Sequence, residues 1–98
     1  MAERLTEEQV AQALEGSAWT RDGDSIVLDR KLDDFGAAMA YANAVAGLAE
    51  AANHHPDILV HGWNKVRLTL TTHSEGGLTD NDRRMAERID GLPLRPSP

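Results

Sequence analysis

An α+β fold, a four-stranded antiparallel sheet with helices packed on one of its faces, follows from three observations. Three stretches carry apolar residues at helical spacing behind capping residues. Two pairs of short β-prone runs lie between them. The resulting element order, αββαββα, sets runs of paired strands between helices, the pattern of an antiparallel sheet covered on one side.

The first helix starts at Thr6-Glu7-Glu8-Gln9, with Thr6 as N-cap, Gln9 as its capping-box partner and Leu5 placed to staple onto Val10. Val10, Ala13 and Leu14 mark its apolar face, and Gly16 follows a helix expected to run to about Glu15. Residues 18–21 and 25–30 then form two strands around Asp22-Gly23, a pair that tolerates the positive φ of a hairpin turn. Trp19 is read as a packing aromatic, because tryptophan usually acts through buried area. Asp33 or Asp34 caps the longest helix, Phe35–Ala52. Its inward pattern is expected at Phe35, Met39, Ala42, Val45 or Ala46, Ala49 and Ala52, and its many alanines permit close packing.

The helix gives way at Asn53-His54-His55-Pro56-Asp57, where proline forces the backbone extended. Residues 58–61 form a short strand, Gly62 permits a bend, and 64–72 form the clearest strand of all. There Val66, Leu68 and Leu70 share one face. Trp63, Lys65, Arg67, Thr69 and Thr71 share the other, and period-two parity carries His73 to that polar side. After the loop Ser74-Glu75-Gly76-Gly77, Thr79 caps a last helix with Met85, Ala86 and Ile89 on one face and Gly91 at its end. Residues 92–98 are proline-rich and expected to fray.

The 98 residues suit one domain, 1–98, with a modest core. Only 4% are aromatic, and a core built mainly of aliphatic residues and alanine gains from oligomerisation, so a homodimer or homotetramer is expected. A net charge of −6 with scattered basic residues argues against direct binding of nucleic acid. Without cysteine, a leading apolar run or a stretch of about twenty apolar residues, a cytoplasmic protein that does not enter the membrane is expected.

Chemistry concentrates at the ends of elements. His54 and His55 close the long helix and His73 follows the fourth strand; histidine is the side chain that exchanges protons near neutrality. Capping of the free helix carbonyls would account for one imidazole but leaves His73 unexplained. A zinc site is not expected, because adjacent histidines in extended backbone point to opposite faces and no helical His-x-x-x-His spacing accompanies them. Asp82 sits at N3 of Thr79-Asp80-Asn81-Asp82, where it can close a capping box or hydrogen-bond an imidazole and select its tautomer. Glu50 lies one helical turn before His54, placed for an i,i+4 contact. His61 reads as a surface histidine, and Gly76-Gly77 as a loop hinge rather than a phosphate cradle.

The stretch Glu50-Ala51-Ala52-Asn53-His54-His55-Pro56-Asp57, then Trp63-Asn64-Lys65-Val66, Leu70-Thr71-Thr72-His73, Gly77-Leu78-Thr79 and Asp82, resembles the pterin-4a-carbinolamine dehydratase family. Ile58 stands where many relatives carry an aromatic, and Ser74 where an acid is frequent. The resemblance implies the antiparallel four-stranded sheet read above and an activity: dehydration of 4a-hydroxytetrahydropterin to quinonoid dihydropterin and water, without metal or bound cofactor. It implies that His54, His55 and His73 surround the pterin substrate, that Glu50 and Asp82 are the site's acids, and that Pro56, Thr72, Ser74 and Glu75 line it. Some relatives are dimerisation cofactors of a transcription factor or assembly factors, so the resemblance also admits a protein-binding role without catalysis.

Overall fold

The computed structural model describes residues 3–93. Helix α1 spans Glu7–Leu14 and opens on the expected capping box: Gln9 N–H donates to Thr6 Oγ1 at 3.1 Å, and Thr6 N–H to Gln9 Oε1 at 2.8 Å. Leu5 and Val10 both enter the core. The chain then runs through β1 (Thr20–Asp22), β2 (Ser25–Lys31), α2 (Phe35–Ala52), β3 (Asp57–His61), β4 (Lys65–Leu70), a 3₁₀ turn (His73–Glu75) and α3 (Asp80–Asp90). Order and class are those read from the sequence.

The sheet is antiparallel throughout, in the order β1-β2-β4-β3. The central pair sets Ile26 opposite Leu70 and Leu28 opposite Leu68, so period-two alternation stacks Ile26, Leu28, Val66, Leu68 and Leu70 on the face that the helices cover. The outer face is polar apart from Val27 and Leu59, and Arg67 grips Asp29 across it with bonds of 2.8 and 3.3 Å. The first hairpin turns at Gly23-Asp24, one residue later than expected, with Gly23 supplying the positive φ of +60°. Trp19 is buried, and its indole N–H donates to Asp90 Oδ1 at 2.9 Å.

Helix α2 has the expected bounds and Asp34 as its cap, whose carboxylate accepts from Ala37 N–H at 2.7 Å. Its inward face is different. Ala38, Tyr41, Ala42, Val45 and Ala49 are buried, whereas Phe35 and Met39 are 56% and 38% exposed and Ala52 is exposed too. An alanine-rich helix presents nearly equal hydrophobicity on several faces, and the face that packs inward is the one carrying Ala38 and Tyr41. Strand β4 is shorter than expected, leaving Asn64 and residues 71–72 outside it; buried Asn64 instead ties two loops by donating to Leu32 O at 3.0 Å.

At the other end, Leu5 N–H donates to Leu78 O at 2.7 Å, which lays the N-terminal segment beside the start of α3. Leu92 packs against the core, and the expected fraying of residues 94–98 lies outside the described residues. Among the described residues no helix is long and apolar enough to cross a membrane.

Candidate active site

The C-terminus of α2 ends in a left-handed residue, Asn53, at φ 50° and ψ 42°. Asparagine tolerates that conformation better than other residues with a Cβ, apart from aspartate, and it stops the helix before proline does. His54 N–H returns to Ala49 O at 3.1 Å, so the turn is tight. Beyond it the two imidazoles diverge. The His54 ring goes inward, with its side chain 15% exposed, and that of His55 goes outward, 55% exposed. Pro56, partly buried, leads into β3.

His54 Nε2 lies 2.6 Å from Asp82 Oδ1. Asp82 also serves as the capping-box acid of α3, its Oδ2 accepting from Thr79 N–H at 2.9 Å, so one side chain makes both the cap contact and the imidazole contact. A second donor reaches the same oxygen, the Thr72 hydroxyl at 2.7 Å, and Thr72 Oγ1 is 2.8 Å from Thr79 Oγ1. All three residues are buried. A carboxylate withdrawn from water in this way is tolerated because every donor around it is aimed at it.

Glu50 does not reach His54. Its Oε1 lies 3.2 Å from His55 Nε2, because the left-handed Asn53 breaks the helical register on which the i,i+4 expectation depended.

His73 opens the 3₁₀ turn rather than continuing β4, so strand parity does not govern where it points. Its loop is closed by paired bonds between Thr72 and Gly77, Thr72 N–H to Gly77 O at 3.1 Å and the reverse at 3.3 Å. His73 and Ser74 are exposed and Glu75 is partly buried. The loop thus starts from Thr72, which is bonded to the carboxylate that holds His54, and no direct bond joins the His73 and His54 rings.

Thr79 was expected only as a helix cap, and its hydroxyl contact with Thr72 had no sequence signal beyond the Thr-x-x-Asp box itself. His61 is exposed, as expected. Among the described residues no group of three His, Cys, Asp or Glu side chains could hold a metal ion. The arrangement offers one partly buried imidazole paired with a buried acid and two exposed ones, residue types suited to moving protons at neutral pH.

Comparison with known proteins gives the family. The profile of the family described as pterin 4 alpha carbinolamine dehydratase matches residues 3–92. A relative from Natronomonas pharaonis, provisionally named a pterin-4-alpha-carbinolamine dehydratase, is 44% identical over 92 residues, 94% of this chain and 98% of its own. One from Nocardia farcinica with the same provisional name is 47% identical over 91 residues, 92% and 95% of the two chains. Among solved structures, a transcriptional coactivator/pterin dehydratase from Brucella melitensis superimposes with a TM-score of 0.84 at 34% identity, covering 90% of this chain and 96% of that one. A pterin dehydratase-like protein identified as a RuBisCO assembly factor in the alpha-carboxysome superimposes with a TM-score of 0.62 at 25% identity, over 74% and 86% of the two chains. With a family profile spanning nearly all of its length, the chain belongs to the pterin 4 alpha carbinolamine dehydratase family.

Proposed function

We propose that this protein dehydrates 4a-hydroxytetrahydropterin to quinonoid dihydropterin and water by histidine acid-base catalysis, in the cytoplasmic recycling of tetrahydropterin. In the reaction a proton is given to the 4a-hydroxyl oxygen, the C4a–O bond breaks and its electron pair leaves with water. Loss of a proton from the neighbouring ring nitrogen frees the pair that forms the new C=N bond. The step needs one acid and one base and no change of oxidation state. His54 and His73 transfer these protons, and exposed His55, steadied by Glu50, anchors the pterin by hydrogen bonds. Pro56, Thr72, Ser74 and Glu75 line the site around it.

The observation that carries this reading is the 2.6 Å pairing of His54 with a buried Asp82. A protein that served only as a scaffold has no chemical need to aim a desolvated carboxylate at an imidazole. Purified protein should accelerate dehydration of 4a-hydroxytetrahydropterin generated in place by a hydroxylase. A rate equal to the spontaneous one would sink the enzyme reading.

A second reading, binding to protein partners without catalysis, draws on the apolar surface. Leu59 and Trp63 are 52% and 63% exposed, and Phe35 and Met39 stand out from α2. Strand β3 is an edge, paired only with β4 among the described residues, and its sequence lacks the lysine or proline that usually blunts an edge. A homodimer or homotetramer assembled through this edge reconciles the apolar surface with catalysis. The assembly-factor neighbour supports a docking role for such surfaces as an alternative to the enzyme.

A further inference from the structure

The direction of hydrogen bonding at Asp82 is fixed by counting protons. A threonine hydroxyl has one hydrogen to donate. That of Thr72 goes to Asp82 Oδ2, so the 2.8 Å contact between Thr72 and Thr79 is one in which Thr72 accepts and Thr79 donates. Thr79 Oγ1 in turn accepts from Asn81 N–H at 3.2 Å. The donors therefore run one way, from the first turn of α3 through Thr79 and Thr72 into the carboxylate.

Asp82 Oδ2 is then occupied by two donors, the Thr72 hydroxyl and Thr79 N–H, and Oδ1 faces His54. With two donors aimed at Oδ2, Asp82 is acceptor-only, so the hydrogen of the 2.6 Å contact is the one carried by His54 Nε2. A neutral imidazole has a single N–H. Its other nitrogen, Nδ1, carries a lone pair, and no described residue hydrogen-bonds to it.

We propose that Thr72 and Thr79 are positioning residues which, through Asp82, lock resting His54 in its Nε2–H tautomer and so make Nδ1 the nitrogen that takes the proton in the dehydration. This rests on the dehydratase reading and divides its labour: His54 is the base, and donation to the leaving hydroxyl falls to His73. On taking the proton His54 becomes imidazolium, with Nε2–H still on Asp82 and the new N–H at Nδ1. The buried carboxylate stabilises that charge. Nothing in the network must reorient during the step.

Long-range proton–nitrogen NMR of the imidazole rings in uniformly labelled protein reads the tautomer directly, with His54 identified by loss of its signals in His54→Gln. In mildly alkaline solution the wild type should show His54 protonated at Nε2 alone. Asp82→Asn should invert it. The two donors at Oδ2 draw the amide oxygen, the amide N–H₂ then faces Nε2, and the proton moves to Nδ1. Thr72→Val should lower kcat by about 10- to 100-fold, and Thr72→Ser, which keeps the hydroxyl, should restore it.

A wild-type proton on Nδ1, an unchanged tautomer in Asp82→Asn, a wild-type kcat in Thr72→Val, or a Ser variant as slow as the Val variant would each overturn the proposal. If Thr72→Val fails to fold, the two tautomer measurements decide. Nε2–H in the wild type and inversion in Asp82→Asn, in a protein that does not speed dehydration, would overturn the dehydratase reading and leave the hydrogen-bond assignment standing.

Discussion

Replacing Asp82 by alanine tests how far the site and the fold share one side chain. The carboxylate receives three bonds, from Thr72 Oγ1 at 2.7 Å, Thr79 N at 2.9 Å and His54 Nε2 at 2.6 Å. Water can reach the partly exposed His54 once its partner is gone, but the Thr72 hydroxyl and Thr79 amide are buried and would be left without an acceptor. At about 1–3 kcal/mol for each stranded donor the loss is about 2–6 kcal/mol. Relief of the buried charge offsets part of it, for a net of about 3 kcal/mol against a total stability of about 5–15 kcal/mol.

With a urea slope of about 1.5 kcal/mol per M, the unfolding midpoint should fall by about 2 M. Asp82→Asn should cost only about 1 kcal/mol, because its amide oxygen still accepts from both donors. Urea titrations followed by circular dichroism at one fixed protein concentration give the comparison, the concentration being held because any oligomer adds its own stability. An alanine variant as stable as wild type would refute this account of the network. So would an asparagine variant as unstable as the alanine one, since charge and not acceptor geometry would then be what holds the corner together.

Four further outcomes follow from the site and the surface. His73→Ala should lower turnover by about 10²-fold or more, and an unchanged rate would remove His73 from proton transfer. Chelation should leave dehydration intact, whereas a loss restored by added zinc would overturn the metal-free mechanism. Leu59→Lys, which puts a charge on the open edge strand, should turn a dimer or tetramer into monomers by mass measurement in solution, and a wild-type monomer would refute assembly through β3.

The fourth concerns acid. Hydrogen bonds from Arg67, Arg83 and Arg21 hold the carboxyls of Asp29, Asp80 and Glu7 below their ordinary values of 3.8, 3.8 and 4.5. Their contribution is present in full above those values and is lost as pH falls through the lower folded-state ones. Thermal stability should therefore fall from about pH 4 downward, less steeply in Arg67→Gln and at high salt. An acid limb identical in that variant would exclude the Asp29 pair as a contributor.

The sequence carried the architecture because its punctuation was strong. Two capping boxes, Asp34 before an unbroken alanine-rich run and strict alternation from Val66 to Leu70 marked elements that the structure reproduces with shifts of one or two residues. Four things were not legible. The inward face of α2 was misjudged at Phe35 and Met39, since alanine gives hydropathy little contrast around the helix.

The partners of Glu50 and the course of the chain at His73 depended on single backbone conformations, the left-handed Asn53 and the 3₁₀ turn after Thr72, at which periodic reasoning ceases to apply. The bond from Thr72 to Asp82 joins residues ten apart across a loop, and only the closing of that loop brings them together. The pairing of His54 with Asp82, by contrast, was anticipated in kind, because an acid at N3 behind a threonine has its carboxylate turned back toward whatever precedes the helix.

The first turn of helix α3 carries the acid that hydrogen-bonds His54. Active sites are commonly assembled on loops that open far more easily than the core, so that a protein can lose its site while keeping its fold. Here the first turn of a core helix cannot unwind without releasing the imidazole, and the imidazole cannot swing away without leaving one oxygen of the capping acid unpartnered. The amide hydrogen of Thr79 is the physical join between the two. Its rate of exchange with solvent is a clock for the site as much as for the helix, and a substitution that leaves that clock unchanged has left both in place.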